Sequence, residues 1–205
     1  MALIASVLTG LIQTSLTTKL APYNGGVVGP QFINFTTALG NGINTGIVGS
    51  TFDTVDVGSV SNPGTGSGLA ITGLVSGTLS TLMYNNCTAL FGSAGARLKD
   101  ITDSISDSLI THLGAAILIS THTPVYVGAG AVSFSASTMN SAAMSLAIST
   151  SAPAFTGIHW VNFCNAISNG IVSHIKSVGT GAVVITGAAP PSPVPGAGVG
   201  SGIVS

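Results

Sequence analysis

Charge is the scarcest property of this chain. Charged residues make up 4% of its 205 residues, and glutamate is absent altogether, whereas a soluble domain usually contains about 25% charged residues. Four lysine and arginine residues at a net charge of −1 can neutralise few phosphates, which disfavours a nucleic-acid partner. Because the chain also lacks a recognisable catalytic motif, we predict that it is not an enzyme and that it holds no cofactor.

Cysteine and long apolar runs are scarce as well. Cys87 and Cys164 are too few for a disulfide framework in a chain of this length, so we expect two buried thiols. Only the stretch 1–20 has the length of a membrane span, but Gln13 and Lys19 interrupt it and no basic segment opens it. We therefore expect an amphipathic packing helix there rather than a membrane span or a signal peptide.

Hydrophobic residues, by contrast, are abundant. They make up 45% of the chain, and the mean hydropathy is +0.66. Disordered chains combine low hydrophobicity with high charge, so this composition predicts a folded protein. With so few charges, copies repel one another weakly, and we expect the chain to associate with copies of itself or with other proteins.

Three stretches repeat one helical pattern. Apolar residues recur in each at steps of 3, 4, 4 and 4 residues, which is the spacing of one helix face. Other positions match too, as NFTTALGNGI and NFCNAISNGI show, so chance is a poor explanation. The three apolar ladders, which we predict to be core packing surfaces, are Phe32, Phe35, Leu39, Ile43 and Ile47; Leu98, Ile101, Ile105, Leu109 and Leu113; and Trp160, Phe163, Ile167, Ile171 and Ile175.

The ladders define a repeating unit. A weaker helical pattern precedes each ladder, at 3–20, 74–91 and 135–148, and a strand-like alternation, a Pro/Gly turn and a second alternation follow it. We therefore predict a helix-rich α+β fold with three tandem pseudo-repeats of helix-helix-strand-turn-strand around a shared core. A closed pseudo-threefold arrangement is favoured over a row. The predicted units, which together form one compact structural domain, are 1–72, 73–134 and 135–205.

Two groups of ionisable residues suggest chemistry at first sight. Asp100, Asp103 and Asp107 share one predicted helix face, which suits a metal or acid–base cluster or, as we favour, capping and charge at a helix start. His112 and His174 occupy equivalent positions in two units, but the first unit has glycine there, so a threefold metal site would lack a ligand. We predict structural histidines and no metal site.

A polar residue stands at an equivalent position beside each ladder, as Asn41, Asp107 and Asn169. Two interpretations remain open. Such residues either fix the register between packed helices at a cost in stability, or they simply face solvent.

The run AISNGIVSHIKSVGTGAVVITG and the PPSPVPGAGVGSG that follows it resemble small structural proteins of tailed bacteriophages. Those proteins similarly combine an Ala/Ile helix, a Val-rich strand and a Pro/Gly tail. The resemblance covers the second half of each unit and implies a virion component of the tail, baseplate or neck, made in the host cytoplasm. We expect a non-enzymatic structural protein of a large symmetric assembly, with copies of itself and other structural proteins as partners. The alternative is a membrane-associated or cell-surface structural protein.

Overall fold

The computed structural model describes most of the chain in separate segments. It describes backbone and side chains over 4–22, 29–48, 50–51, 74–92, 95–114 and 139–177. It describes the backbone alone at 23–24, 52–59, 62–69, 71–72, 117–122, 128–134, 178, 180–187 and 196–204.

Six helices account for most of the residues described with side chains. Pro30 opens the second of them, where its fixed φ suits a first helical turn. Asn140 caps the fifth, because its Oδ1 accepts hydrogen bonds from two backbone N–H groups of the first turn. Gly92 ends the third in the left-handed conformation, with φ of 74°. The helices are α1 (Ala5–Asn24), α2 (Pro30–Ile47), α3 (Ser76–Phe91), α4 (Ala96–Gly114), α5 (Ser141–Ser151) and α6 (Ile158–Val178).

The backbone described between the helix pairs and after α6 forms seven strands. Neighbouring strands pair antiparallel in the order β2-β4-β5-β6-β7-β1-β3, and β1 also pairs with β2. The strands are β1 (Thr51–Ser59), β2 (Asn62–Leu69), β3 (Ile71–Thr72), β4 (Ile117–His122), β5 (Gly128–Phe134), β6 (Thr180–Gly187) and β7 (Gly196–Val204).

The helices close into a ring. Each packs against the next along the chain, and α1 also packs against α6. Hydrogen bonds fix the direction of packing: the Ser106 hydroxyl donates to the Ser76 carbonyl, while the Ser80 and Thr102 hydroxyls lie 3.1 Å apart. Residue numbers therefore rise along α3 where they fall along α4, so the two helices are antiparallel. Each predicted unit contains one pair of consecutive helices that pack on each other.

The buried positions recur regularly around the ring. The last three residues of every ladder are at most 2% exposed, and they point into one continuous core. The other three helices bury positions at steps of 1, 3 and 4, with a small polar residue second in each set. These sets are Leu8, Thr9, Ile12 and Leu16; Leu79, Ser80, Met83 and Cys87; and Met144, Ser145, Ile148 and Ala152.

The predicted α+β fold with one core shared by helices and strands is wrong. The part of the chain described with side chains holds six helices and only the first residue of one strand, Thr51, and it contains no pair of strands. Every buried apolar residue in that part lies in a helix or within two residues of one. The physical reason is that the helices carry many apolar side chains that can pack, whereas the segments between them carry few. The ladders give α2, α4 and α6 an apolar face, whereas segments such as GTGSG and GAGVGSG are rich in glycine, which has no side chain to pack.

The helices that precede the ladders differ from the prediction at their ends. The first runs to Asn24, beyond the predicted end at 20. The third of these, α5, starts at Ser141 because Asn140 caps it there, and 135–138 of the predicted helix lie outside the described residues.

Candidate interaction surface

The starts of the three ladders meet around an open cavity of about 530 Å³. Each ladder contributes its first two residues, and the cavity lies at the end of the ring where α2, α4 and α6 begin. Trp160 is 9% exposed, while the other ladder residues of the lining are half-buried. We call this cavity the apolar bowl; it is lined by Gln31, Phe32, Phe35, Leu98, Ile101, Phe155, Trp160 and Phe163.

Five aromatic rings form a continuous wall of the bowl. Phe155 stacks on Trp160 with ring centroids 4.8 Å apart, and Trp160 stacks on Phe163 at 5.3 Å. The wall continues from Phe163 to Phe35 at 5.8 Å and from Phe35 to Phe32 at 6.4 Å. These distances lie in the range of favourable aromatic pairs. The wall spans α6 and α2, so it holds two units together and presents a rigid apolar surface.

Phe155 is the member of this wall that sequence analysis missed. It lies in the loop between α5 and α6, in the stretch SAPAFTG. No apolar periodicity runs through that stretch, so no local signal marks the residue. Its place depends on its contact with Trp160, which only the folded ring creates.

One cation stands at the edge of the bowl. The Arg97 guanidinium carbon lies 5.6 Å from the centre of the Phe155 ring, a cation–π distance. Arg97 Nη1 also donates to the Ala154 carbonyl across 3.3 Å. Arg97 therefore fixes the loop that carries Phe155 while its charge stays exposed to solvent.

Three further apolar side chains are exposed on the starts of α2 and α6. Ile33 in the first turn of α2 is 44% exposed, and Ile158 and Val161 in the first turn of α6 are 54% and 43% exposed. They lie in helix turns that also carry lining residues of the bowl, so this end of the ring exposes apolar side chains outside the cavity as well. The arrangement suits binding of apolar groups by shape and area.

The three aspartates of α4 lie elsewhere. They line a cavity of about 360 Å³ between α4 and the end of α5. The interpretation that they sit at a helix start is wrong, because α4 begins at Ala96 and its first turn holds no acidic residue. The segment ARLK consists of strong helix formers and extends the helix by a turn. We also considered Thr102 as the residue that caps this helix, but Thr102 lies inside α4 and its hydroxyl donates to the Lys99 carbonyl at 3.0 Å.

Asp103 is held by its neighbours within the helix pair. Its carboxylate accepts hydrogen bonds from Lys99 Nζ and from the Ser80 hydroxyl. Partial burial pushes the pKa of Asp103 upward, but these two hydrogen bonds and the charge of Lys99 outweigh burial and leave the pKa below its usual value. Both side chains of the ion pair are more than two-fifths exposed, so water screens the pair and its contribution to stability is small.

The two equivalent histidines have different environments. His174 is 1% exposed, and its Nε2 accepts a hydrogen bond from the Ile4 N–H across 3.2 Å. Burial lowers the pKa of His174 below 6.5, so the ring is neutral near pH 7. His112 is half-buried, with Nδ1 2.8 Å from the Ser108 carbonyl oxygen. His159 is exposed, and the side chain of His122 lies outside those described.

Metal ligands do not converge in the described part of the chain. No group of three or more His, Cys, Asp or Glu side chains there is arranged to hold a metal ion. Cys87 and Cys164 are both free thiols buried in the helical core. Burial raises the pKa of Cys87 to about 11 and that of Cys164 to about 12. Such thiols stay protonated, and the thiolate is the form that binds metals and reacts.

The polar positions beside the ladders face solvent in two cases. Asn41 and Asp107 are exposed and Asn169 is half-buried, so the solvent-facing interpretation is confirmed for the first two. Their neighbours Gly42 and Gly170 are buried instead. These glycines contact helices of other units and control how closely the units approach, a role that sequence analysis did not assign to them.

Comparison of the chain with protein-family models, with curated proteins and with solved structures finds no match. The resemblance to bacteriophage structural proteins therefore stays a prediction. Among the described residues, no helix is long and apolar enough to cross a membrane.

Proposed function

We propose that this chain is a non-enzymatic structural component of a large symmetric assembly and that it joins a neighbouring protein of that assembly through the apolar bowl. The observation that carries the proposal is the bowl, an open cavity of about 530 Å³ lined by seven apolar side chains and Gln31. Apolar patches of this kind on a folded protein mark interaction sites. Large aromatic residues in a pocket are the side chains that most often dominate binding energy.

The charges around the bowl support a protein partner. Arg97 is held against Phe155, and Lys99 is paired with Asp103. A partner that covers this end of the ring therefore removes few unpaired charges from water. Removing an unpaired charge from water costs several kcal/mol, and the low charge of the chain keeps the number of such charges small.

The assembly that we propose is a bacteriophage particle. The support for this step is the resemblance of the AISNGIVSHIKSVGTGAVVITG run and its Pro/Gly tail to virion proteins. The recurring burial pattern around the ring agrees with such a role, because a pseudo-symmetric subunit can offer like surfaces to several neighbours.

A charge placed in the bowl tests the proposal. Phe32→Asp alters the half-buried aromatic edge of the bowl, and Leu146→Asp makes the same kind of change on α5 at a side chain that is 65% exposed and outside the bowl. Mass spectrometry of particles purified from the source would measure how much of each variant the particles contain, relative to the major coat protein. We expect Phe32→Asp to reduce incorporation by about tenfold or more, since a buried unpaired charge costs several kcal/mol, and Leu146→Asp to leave it unchanged.

Two results would reject the proposal. Equal incorporation of both variants would show that the bowl is not the contact. Recovery of the wild-type protein with the lipid fraction instead of with particles would favour the membrane-associated alternative. Circular dichroism of both variants verifies that each keeps its helices.

A further inference from the structure

A narrow cleft lies among α1, α2 and α6, at the opposite end of the ladders from the apolar bowl. Its lining includes the last two residues of the first ladder and the last two of the third, and five of its seven side chains are aliphatic. The other two are Asn44 on α2 and His174 on α6. We call this the closure cleft, because it lies where the first unit meets the third.

Each of the two polar residues in the closure cleft carries one unpartnered atom. Asn44 Oδ1 and His174 Nδ1 are both buried, and neither has a hydrogen-bond partner among the described residues. The aliphatic side chains of the lining can supply none. A buried polar atom without a partner destabilises a fold, so two of them in one cleft require an explanation.

The hydrogen bond to Ile4 determines what each atom needs. His174 Nε2 accepts from the Ile4 N–H across 3.2 Å, so the proton of the neutral ring is on Nδ1. Nδ1 is therefore a donor that needs an acceptor. Asn44 Oδ1 is an acceptor that needs a donor, so the needs of the two atoms are complementary.

The other units lack such a pair. The positions equivalent to His174 hold Gly46 and His112, and those equivalent to Asn44 hold Ile110 and Val172. Aliphatic side chains accept no hydrogen bond. His112 instead has its Nδ1 2.8 Å from the Ser108 carbonyl oxygen of its own helix. A histidine and an asparagine at these positions therefore occur together only where the third unit meets the first.

We propose that His174 Nδ1–H donates a hydrogen bond to Asn44 Oδ1, and that these two residues and the Ile4 N–H form a latch that joins α6 to α2 and to the start of α1. The terminal torsion of an asparagine side chain is broad, so the amide can turn towards Nδ1 without a change in α2. This inference goes beyond the proposed function and does not depend on it.

The latch specifies which units meet. The three ladders are alike, and an apolar face can pack on another apolar face in more than one register. A buried donor, by contrast, is satisfied only opposite its acceptor, and polar residues at apolar helix contacts fix register in this way. The latch therefore favours closure of the ring between the third unit and the first in a single register.

A carboxylate at position 44 tests the pairing without relying on stability. Apart from His174, no side chain of the lining is titratable, and Lys176, two residues further along α6, is exposed. In Asn44→Asp, a carboxylate that accepts from Nδ1–H should raise the proton affinity of His174 by about tenfold or more, as an NMR titration of the ring would measure. The control is Thr45→Asp, at the exposed next residue of α2, where screening by water and salt should limit the rise to less than about threefold. Equal rises in the two variants would overturn the inference.

A double-mutant cycle measures the pair directly. Asn44→Leu and His174→Leu should each lower the equilibrium constant for folding, and the double variant should lose about tenfold less than the product of the two single losses. The loss of the Ile4 bond occurs in both variants that lack His174, so it cancels from the cycle. Asn44→Leu with His112→Leu is the matched control, and its two losses should simply multiply. Losses that multiply to within about twofold in the Asn44 and His174 pair as well would overturn the inference.

Discussion

His174 Nε2 accepts a hydrogen bond from the backbone N–H of Ile4 at 3.2 Å, and this bond joins α6 to the residue before α1. It closes the ring at the contact between the first and last helices. The bond requires an unprotonated Nε2, and burial of the ring favours the neutral form as well.

Acid should weaken the fold through His174. Its pKa in the folded chain lies below 6.5, so as pH falls the unfolded chain takes up a proton first. Stability is therefore full above about pH 6.5 and declines below it towards the folded-state pKa, by at most about 1.4 kcal/mol per pH unit. Urea unfolding at about pH 7.5 and about pH 5.5 would measure this decline.

A matched pair of variants assigns the pH effect. His174→Gln should flatten the dependence between these two pH values, and His112→Gln, at the equivalent position in α4, should retain it. An unchanged slope in His174→Gln would show that another group is responsible.

Alanine substitutions at two glycines should change the stability of the protein in opposite directions. Gly42→Ala forces a methyl group against the Met83 backbone, where the Cβ would lie 2.7 Å from Cα, and it should destabilise the protein by about 1–3 kcal/mol. Gly10 lies inside α1 with nothing within 4 Å of an added Cβ. Gly10→Ala should therefore stabilise it by about 0.5–1 kcal/mol through helix propensity. Thermal unfolding would compare the stability of the two variants with that of the wild type. Equal effects would contradict the close approach of Gly42 to the Met83 backbone.

The helices could be predicted from the sequence because the spacing of apolar residues within one helix is a local pattern. The 3, 4, 4, 4 spacing places Leu39, Ile43 and Ile47 on one face, and any partner surface then buries them. The contact of Gly42 with Met83 has no such signal, because it depends on two helices from different units. A small residue beside a ladder is compatible with a close helix contact, with a turn or with a position that has no structural role.

The candidate surface was less predictable than the core. Phe32 and Trp160 fit their ladders as well as Leu39 does, yet they line the bowl because they lie in the first turns of α2 and α6. Phe155 completes the aromatic wall from a loop without periodicity. The error in fold class has a related cause: an alternating pattern predicts extended backbone, but it does not show whether strands share the helical core.

Trp160 should be the most sensitive residue of the bowl. Its ring lies between those of Phe155 and Phe163, so Trp160→Ala should cost about 3–5 kcal/mol. Its Nε1 is buried without a hydrogen-bond partner among the described residues. Trp160→Phe keeps a stacked ring and removes that unsatisfied donor, so it should cost less than about 1.5 kcal/mol. Chemical denaturation of both variants distinguishes these costs, and a similar loss in the two would show that a phenyl ring cannot replace the indole in this stack.

The two cysteines should report on opening of the helical core. Burial raises the pKa of Cys87 to about 11 and that of Cys164 to about 12, so at about pH 8 neither forms an appreciable amount of thiolate, the reactive species. We expect native protein to resist alkylation and the unfolded chain to be labelled at both positions, as mass spectrometry after tryptic digestion would record.

Slow labelling of the native protein should proceed only through opening of the helical core, and it should therefore accelerate at low urea concentrations. Cys87 lies on α3, next to Met83 in its buried set, so Gly42→Ser should expose it before Cys164. Immediate labelling of either thiol in the native wild-type protein would contradict a closed helical core.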